Sequence, residues 1–280
     1  MKHFFLLSVL IVTMSISSSI LAQQKTFKIV HIDDSPGRAM DAGLFPTASP
    51  EAVKKYMPNG NAPASVSTFI LFAGEDTIMF DTGNGNETWG KKLIDADVKP
   101  ENVKFIFLTH MHGDHIGGLL QGNARRFPNA KVLCSKQEYD GTSPAQLARL
   151  KTAYGQDFEK TFNFGDEVFA NAQVKVKAMD AIGHTPGHAV FLIESKEAQD
   201  EKLLIIGDLL HAAALQFPVP EACARFDADQ EKAIAARKRI LDLAAQEKLP
   251  VAGMHLPPPS IGTVKKNDQG GYDWEVRQWN

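Results

Sequence analysis

Cysteine is scarce in this chain, which has two cysteines among 280 residues. Cys134 and Cys223 lie far apart in the sequence, and neither has the close CxxC spacing of a structural zinc or redox site. We therefore expect no cysteine-ligated metal site and assign neither cysteine to catalysis. The sequence leaves open whether the two cysteines pair, because it cannot test the separation that a disulfide needs.

The chain also lacks an excess of basic residues. It has 30 Lys and Arg against 33 Asp and Glu, which gives a formal net charge of −3. Nothing resembles the basic stripe with which proteins bind phosphate backbones. We therefore expect a small-molecule substrate and no nucleic-acid partner.

Long apolar runs are absent outside the amino terminus. Residues 1–22 combine the basic Lys2 with the apolar stretch Phe4–Met14 and a possible cut after Ala22, which is typical of a secretory signal. Ile20 is larger than the residue usual three positions before the cut, so an uncleaved anchor is the alternative. We expect an exported protein, periplasmic or secreted, with no stable membrane insertion after signal removal, and leave a homodimer open.

Histidine, in contrast, is concentrated in one short segment, which reads Thr-His-Met-His-Gly-Asp-His from residue 109. The apolar and β-branched residues from Val103 onward predict a buried strand before it. Side chains two apart in extended backbone face the same way, so His110 and His112 can hold one ion. Asp114 and His115, where the chain turns toward a helix, can address a second ion.

Further ligands follow other predicted strands. His184 lies in a turn between two strand-like segments, Asp208 ends one apolar run and His255 follows another. Sites in layered α/β proteins favour loops at strand ends, because a rigid scaffold holds the side chains there. These positions agree with a single site.

With these residues in place, the chain resembles the metallo-β-lactamase superfamily, whose ligand order is His-x-His-x-Asp-His, His, a bridging Asp and His. The resemblance implies an α+β fold, a four-layer αββα sandwich formed as one domain by residues 23–280. Around Asp208 and His255 the sequence looks most like the methyl parathion hydrolase-like or lactonase-like branch. The implied ligands are His110, His112 and His184 for the first ion, Asp114, His115 and His255 for the second, and Asp208 as the bridge.

The implied cofactors are two Zn²⁺ per chain, although Mn, Co or Fe would also tolerate imidazole and carboxylate ligands. A hydroxide bridging two such ions would be the nucleophile. Asp114 is predicted to have a second, catalytic role, because its other carboxylate oxygen can orient hydroxide or pass a proton to the leaving group.

Three more residues are predicted to support the site. His211 lies three positions after Asp208, where related lactonases look to have a substrate-contacting Tyr, and could bind the substrate oxygen or leaving group; a core histidine is the alternative. His188 and Asp81 are expected to brace ligand residues through hydrogen bonds.

Aromatic residues are the candidates for an apolar pocket wall. We name Phe45, Trp89 and Phe217, although burial in the core is the plainer interpretation of each. Phe45 lies in the irregular segment 33–65, which is either a substrate-facing flap or a connection packed over the sheet.

The sequence thus predicts an exported dinuclear zinc hydrolase of small esters, with lactones, aryl esters and phosphotriesters as candidate substrates. A metallo-β-lactamase is the enzymatic alternative, and Asp208 disfavours it because the best-known zinc β-lactamases have Cys there. A non-catalytic periplasmic metal- or ligand-binding protein is a further alternative.

Alternating strand and helix patterns predict a mixed fold. The predicted strands of the first half are Phe27–Ile32, Val66–Phe72, Thr77–Asp81, Val103–Thr109 and Ala130–Cys134. Cap and periodicity signals predict helices at Pro50–Tyr56, Asn86–Asp95, Asp114–Gln121, Pro144–Tyr154 and Asp229–Gln246.

Overall fold

The computed structural model describes residues 25–279. The expected signal sequence, residues 1–22, lies outside the described residues, and export stays a prediction. Within the described range, no helix has both the length and the apolar character that crossing a bilayer requires. Cys134 and Cys223 are both buried and unpaired with each other.

The first half of the chain forms a five-stranded sheet in the order β1-β4-β5-β6-β9. Strands β5, β6 and β9 run parallel to one another, and the pairs β2-β3 and β7-β8 stand apart from the sheet. The strands are β1 (Lys28–Asp33), β2 (Ala39–Asp41), β3 (Asn61–Pro63), β4 (Ser67–Ala73), β5 (Asp76–Phe80), β6 (Val103–Phe107), β7 (Leu120–Gln121), β8 (Ala124–Arg125) and β9 (Lys131–Leu133).

The second half forms a seven-stranded sheet whose strand order follows the sequence. Neighbouring strands are antiparallel, except that the fourth and fifth strands of this sheet pair in parallel. The strands are β10 (Glu167–Ala170), β11 (Val174–Asp180), β12 (Ala189–Ser195), β13 (Lys202–Ile205), β14 (Pro250–Ala252), β15 (Ile261–Lys266) and β16 (Tyr272–Val276).

The helices begin where capping residues predict. Ser143 accepts a hydrogen bond from the N–H of Gln146, and Asp229 does the same for Lys232, so each satisfies a free donor of a first turn. The helices are α1 (Pro50–Tyr56), α2 (Glu87–Asp95), α3 (Gly113–Ile116), α4 (Lys136–Gly141), α5 (Pro144–Tyr154), α6 (Ala213–Gln216) and α7 (Gln230–Gln246). The predicted bounds of α1 and α5 are confirmed, whereas α3 is shorter than predicted and α4 was not predicted.

The two sheets pack face to face around an aromatic core. Phe80 and Phe107 of the first sheet meet Phe191 of the second, with ring centroids 5.3 and 5.7 Å apart. Burying one such side chain stabilises the fold by about 1.5–3 kcal/mol. Two more apolar clusters cover the outer faces, one including Trp89 of α2 and the other Ile240 of α7. The result is the expected single-domain αββα sandwich.

Segment 33–65 packs against the sandwich as a small layer of its own. Strands β2 and β3 pair within it, and its helix α1 contacts α6. Met40, Phe45 and Met57 are buried together with Leu215 of the second half. The segment therefore joins the two halves of the chain through apolar contacts.

The topology gathers strand ends at one edge of the sandwich. Strands β5 and β6 are parallel in one sheet, as are β13 and β14 in the other, so the carboxyl ends of each pair share an edge. Residues 81, 108–115, 206–211 and 253–255 follow these four strands, and the β11–β12 turn contributes residues 181–188.

Candidate metal centre

All seven predicted ligand residues converge at this edge. Their potential ligand atoms form two groups in which every atom lies within 4.8 Å of the others. The first group is His110, His112, His184 and Asp208, and the second is Asp114, His115 and His255.

Three imidazole nitrogens of the first group form a nearly regular triangle. His112 Nδ1 lies 2.9 Å from His110 Nε2 and 3.0 Å from His184 Nε2, and the latter two atoms are 3.2 Å apart. A tetrahedral zinc site with Zn–N bonds of about 2.0–2.1 Å places its ligand nitrogens about 3.3 Å apart. The observed triangle fits that requirement.

Asp208 lies between the two groups. Its Oδ1 is 3.1 Å from His115 Nε2, and its Oδ2 is 3.2 Å from His255 Nε2 and 3.3 Å from His184 Nε2. Burial raises the pKa of Asp208, but the surrounding histidines outweigh burial and hold this pKa well below its usual range. The carboxylate is therefore ionised, as a bridging ligand must be.

The backbone before Asp208 requires a glycine. Gly207 has a φ of +52°, and a Cβ atom there would lie 2.6 Å from His188 Nε2 and 2.8 Å from Thr109 Cβ. The chain can therefore bring Asp208 against the histidines only with Gly at this position.

Two buried polar atoms support a metal at this place. His115 Nε2 and Asp208 Oδ1 have no hydrogen-bond partner among the described residues. Buried polar atoms without partners cost free energy, and native proteins rarely leave them unsatisfied. A cation between the two atoms would satisfy both, and the imidazole and carboxylate donors suit a divalent transition metal.

Carboxylates hold two of the ligand histidines from behind. Asp81 Oδ2 lies 2.7 Å from His115 Nδ1, and Asp227 Oδ1 lies 2.9 Å from His184 Nδ1. Each contact occupies the ring nitrogen that faces away from the cluster, which fixes the tautomer and the ring orientation. Asp227 also lies 3.5 Å from the buried guanidinium of Arg237.

Backbone groups hold two further histidines. His255 Nδ1 donates to the carbonyl of Ser65, at 2.8 Å. His188 Nδ1 donates to the carbonyl of Ala181, at 3.1 Å, and its Nε2 accepts from the N–H of Asp208, at 3.0 Å. His188 is therefore not part of either ligand group but fixes the backbone of Asp208.

His211 is also in the cluster, although its ring is buried. Its Nε2 lies 3.1 Å from Asp208 Oδ2, and its Nδ1 has no partner among the described residues. Burial lowers the pKa of His211 to about 4 against the raising effect of Asp208, so the ring is neutral at neutral pH. The hydrogen-bond partner of the His211 ring is Asp208.

Phe226 was missed by the sequence analysis. It is 41% exposed, and its ring lies edge-on to His211 with centroids 4.7 Å apart and to His184 with centroids 5.9 Å apart. An exposed aromatic residue beside a polar cluster offers an apolar contact to a substrate. No local pattern distinguishes Phe226 in the sequence, because only the folded loop brings it here.

The three aromatic residues that were candidates for a pocket wall lie in the hydrophobic core. Phe45, Trp89 and Phe217 expose no more than 2% of their surfaces and belong to three different core clusters. Trp89 Nε1 donates to Thr68 Oγ1, and Phe217 stacks on Trp274. The expectation of a pocket wall is therefore corrected, because close packing leaves none of the three accessible.

Asp227 lies shortly before α7 but does not cap this helix. Two carboxylates precede α7, and the structure gives the capping role to Asp229. Asp227 instead contacts His184 and accepts a hydrogen bond from the N–H of Ala224. The sequence contains this second carboxylate but gives no sign of its partner.

A family model described as the metallo-beta-lactamase superfamily matches residues 61–247. The chain belongs to the metallo-β-lactamase superfamily. The sandwich and the His/Asp cluster have the form expected for this family. The resemblance stated from the ligand motif is thus confirmed at the level of the superfamily.

Solved structures of this superfamily superimpose over nearly the whole chain. The hydrolase AbOPH has a TM-score of 0.80 and 26% identity, covering 92% of this chain and 97% of its own. AidC, a dizinc quorum-quenching lactonase in complex with the product N-hexanoyl-L-homoserine, has a TM-score of 0.74 and 25% identity, covering 90% and 92%.

Curated relatives match over a smaller region. An atrochrysone carboxyl ACP thioesterase of Pseudocercospora fijiensis is 30% identical over 136 residues, which are 47% of this chain and 34% of that protein. A thioesterase of the same name from Emericella nidulans is 28% identical over 140 residues, 49% of this chain and 39% of that protein. The chain thus spans well under half the length of these curated relatives.

Proposed function

We propose that this metallo-β-lactamase superfamily hydrolase is a dinuclear zinc enzyme that cleaves small ester-type substrates, lactones first among them. The observation that carries the proposal is the pair of ligand groups with Asp208 between them. Two groups joined by one carboxylate suit two ions a few ångströms apart better than one ion.

Zinc is proposed because the donors are imidazoles and carboxylates without a thiolate. His110, His112 and His184 would hold one ion, and Asp114, His115 and His255 the other. Two such ions polarise a carbonyl or phosphoryl oxygen and bring the pKa of water toward neutrality.

Asp114 is the ligand residue that we assign to proton transfer. Its side chain is 28% exposed, whereas the side chains of His115 and His255 in the same group are buried. One carboxylate oxygen therefore remains open to the substrate side. It can accept a proton and deliver it to the alkoxide oxygen that leaves when an ester is cleaved.

His211 and Phe226 are assigned supporting roles. The neutral His211 donates its single N–H from Nε2 to Asp208 Oδ2 and so fixes that carboxylate. Phe226 supplies an exposed apolar face beside the ligand groups for the acyl or aryl part of a substrate. An apolar contact next to a polar reaction centre suits an ester with an apolar substituent.

Lactones come first because a dizinc lactonase is similar over nine tenths of the chain. Thioesters are the second candidate, since the curated relatives named above are ACP thioesterases. A β-lactam substrate is less favoured because the best-known zinc β-lactamases have a Cys thiolate at the position of Asp208.

The test is a set of initial hydrolysis rates for the zinc-loaded protein. The substrates are an N-acyl homoserine lactone, an aryl ester, a phosphotriester, an acyl thioester and a cephalosporin, with Asp208→Ala as the control. We expect the lactone to be cleaved fastest and the variant to be inactive. Preference for the cephalosporin would contradict the proposal, and two bound ions without turnover of any substrate would favour a binding protein.

A further inference from the structure

Glu138 is a buried acidic residue to which the sequence analysis gave no role. It lies on the short helix α4 and exposes 5% of its surface. A buried carboxylate is costly unless hydrogen bonds or cations compensate its charge. The partners of Glu138 therefore indicate what the fold uses it for.

The carboxylate joins two separate loops of the metal centre. Its Oε1 accepts from the N–H of Met111, at 2.8 Å, and Met111 stands between two ligand histidines. Its Oε2 accepts from Thr185 Oγ1, at 2.6 Å, and from the N–H of Gly187, at 3.1 Å, in the loop of His184. One side chain thus connects the loops that supply all three imidazoles of the first ligand group.

Packing around Glu138 restricts how far either loop can move. A Cβ atom on Gly187 would lie 2.0 Å from the backbone nitrogen of Glu138, so α4 presses directly on the His184 loop. Ser135 Oγ donates to the carbonyl of Gly187, at 2.7 Å. On the other side, Gln146 Nε2 donates to the carbonyl of Met111, at 2.6 Å. Side chains therefore bind both the N–H and the carbonyl of Met111.

The hydrogen-bond pattern suits an ionised carboxylate. All three partners donate, and an ionised carboxylate only accepts. Burial raises the pKa of Glu138 above its usual value, and the donors at Thr185, Met111 and Gly187 offset this increase only in part. A buried negative charge at this place also favours cations at the adjacent ligand group without occupying a ligand position.

We propose that Glu138 is a positioning residue that fixes the spacing between the His110–His112 loop and the His184 loop and thereby sets how tightly an ion is retained by the three histidines. The inference rests on the proposed dinuclear metal site and concerns ion retention, not the choice of substrate. Glu138 acts through Met111, Thr185 and Gly187, because it touches neither the ligand atoms nor a substrate.

The test compares the two ion affinities of the wild type and Glu138→Gln by chelator competition, with metal content measured by mass spectrometry. Gln has nearly the same shape as Glu but carries no charge. Its NH₂ group would face a hydrogen-bond donor where the carboxylate of Glu138 accepts a hydrogen bond. We expect one of the two ions to bind about 10- to 100-fold more weakly, as for other partners outside the ligand shell. With Co²⁺ in place of Zn²⁺, the absorption spectrum of that ion should change as well.

Asp140→Asn is the matched control. Asp140 lies on the same helix, is 58% exposed and pairs with Lys136 at the surface. Its substitution removes the same charge from α4, so both ion affinities should equal those of the wild type. If Glu138→Gln acted through general charge or through the stability of α4, Asp140→Asn would change the ion affinities in the same way.

Thr185→Val provides a second variant, which keeps the test decisive if Glu138→Gln does not fold. It removes one of the three donors and should weaken the same ion by a smaller factor. The double variant should weaken ion binding by less than the product of the two single factors, because both substitutions act on the contact between Glu138 and Thr185.

Thermal unfolding of the metal-free proteins measures whether a substitution lowers the stability of the fold itself, which separates that effect from the positioning of the ligand loops. Wild-type ion affinities in Glu138→Gln, or an equal loss of both ions, would overturn the proposal. So would a wild-type protein that binds no ion, which would also contradict the proposed function. Two bound ions without ester turnover would contradict the function alone, and the affinity comparison would still decide the role of Glu138.

Discussion

The two halves of the chain build the metal centre in different ways. The first half supplies four ligand residues from one segment, residues 110–115, directly after β6. The second half supplies three, His184, Asp208 and His255, each from a different loop. The sequence itself sets the spacing of ligands in a contiguous motif. Ligands from separate loops must instead be brought into position by the fold and by contacts outside the ligand shell.

The supporting contacts show the same difference. In the first half, Asp81 accepts hydrogen bonds from the N–H and Oγ1 of Thr109, at 2.8 and 2.7 Å, and contacts His115. One carboxylate thus serves both ends of the contiguous segment. In the second half, Asp227 contacts the ring of His184, and the carbonyl of Ser65 accepts from the ring of His255, so these two rings have separate supports.

The largest effect is expected from the contiguous segment. Combined His110→Ala and His112→Ala substitutions remove two of the three imidazoles of the first group, so that ion should be lost and hydrolysis should fall by at least about a thousandfold. Metal analysis and initial rates measure both outcomes. Two ions per chain and full activity in this variant would show that the ligand assignment is wrong.

Smaller and selective losses are expected from the carboxylates behind the ligands. Asp227→Asn should weaken the ion held by His184 about 10- to 100-fold, and Asp81→Asn should weaken the ion held by His115 by a similar factor. Each substitution keeps an acceptor oxygen but removes the charge. Chelator competition resolves the two ions, and loss of the same ion in both variants would contradict the separation of the two groups.

The smallest effect is expected at Phe226, which contacts the cluster without supporting a ligand. Phe226→Ala should raise KM for the preferred ester about tenfold, since pocket contacts of this size are worth about 1–3 kcal/mol. Metal content should not change. Ile94→Ala, at an exposed apolar residue of α2, is the control and should leave KM unaltered; an unchanged KM in Phe226→Ala would remove this residue from the substrate contacts.

Much of the fold follows from local signals in the sequence. Ser143 and Pro144 mark the start of α5, and the predicted bounds of that helix agree with the structure. The helix predicted at Asp114–Gln121 ends early, at Ile116, and a 3-10 turn follows through Gly117 and Gly118. The short helix α4 was missed because six residues carry too little periodicity to be distinguished from a loop.

The ligands could be predicted, as could the supporting residues Asp81 and His188, but Asp227 and Glu138 could not. His184, Asp208 and His255 were found because each follows a predicted strand, and the superfamily resemblance then assigned their roles as ligands. Asp227 and Glu138 act across 43 and 47 residues of sequence, on His184 and Thr185, and no local pattern reports such contacts. Their roles depend on which loops the two sheets bring together, and this information exists only in the folded chain.

The most direct measurement is a titration of the metal-free protein with Zn²⁺, following bound metal and lactone hydrolysis in the same samples. The account predicts that binding saturates at two ions per chain and that full turnover requires both. Full hydrolysis by the metal-free protein, or saturation of binding and activity at one ion, would contradict the dinuclear site.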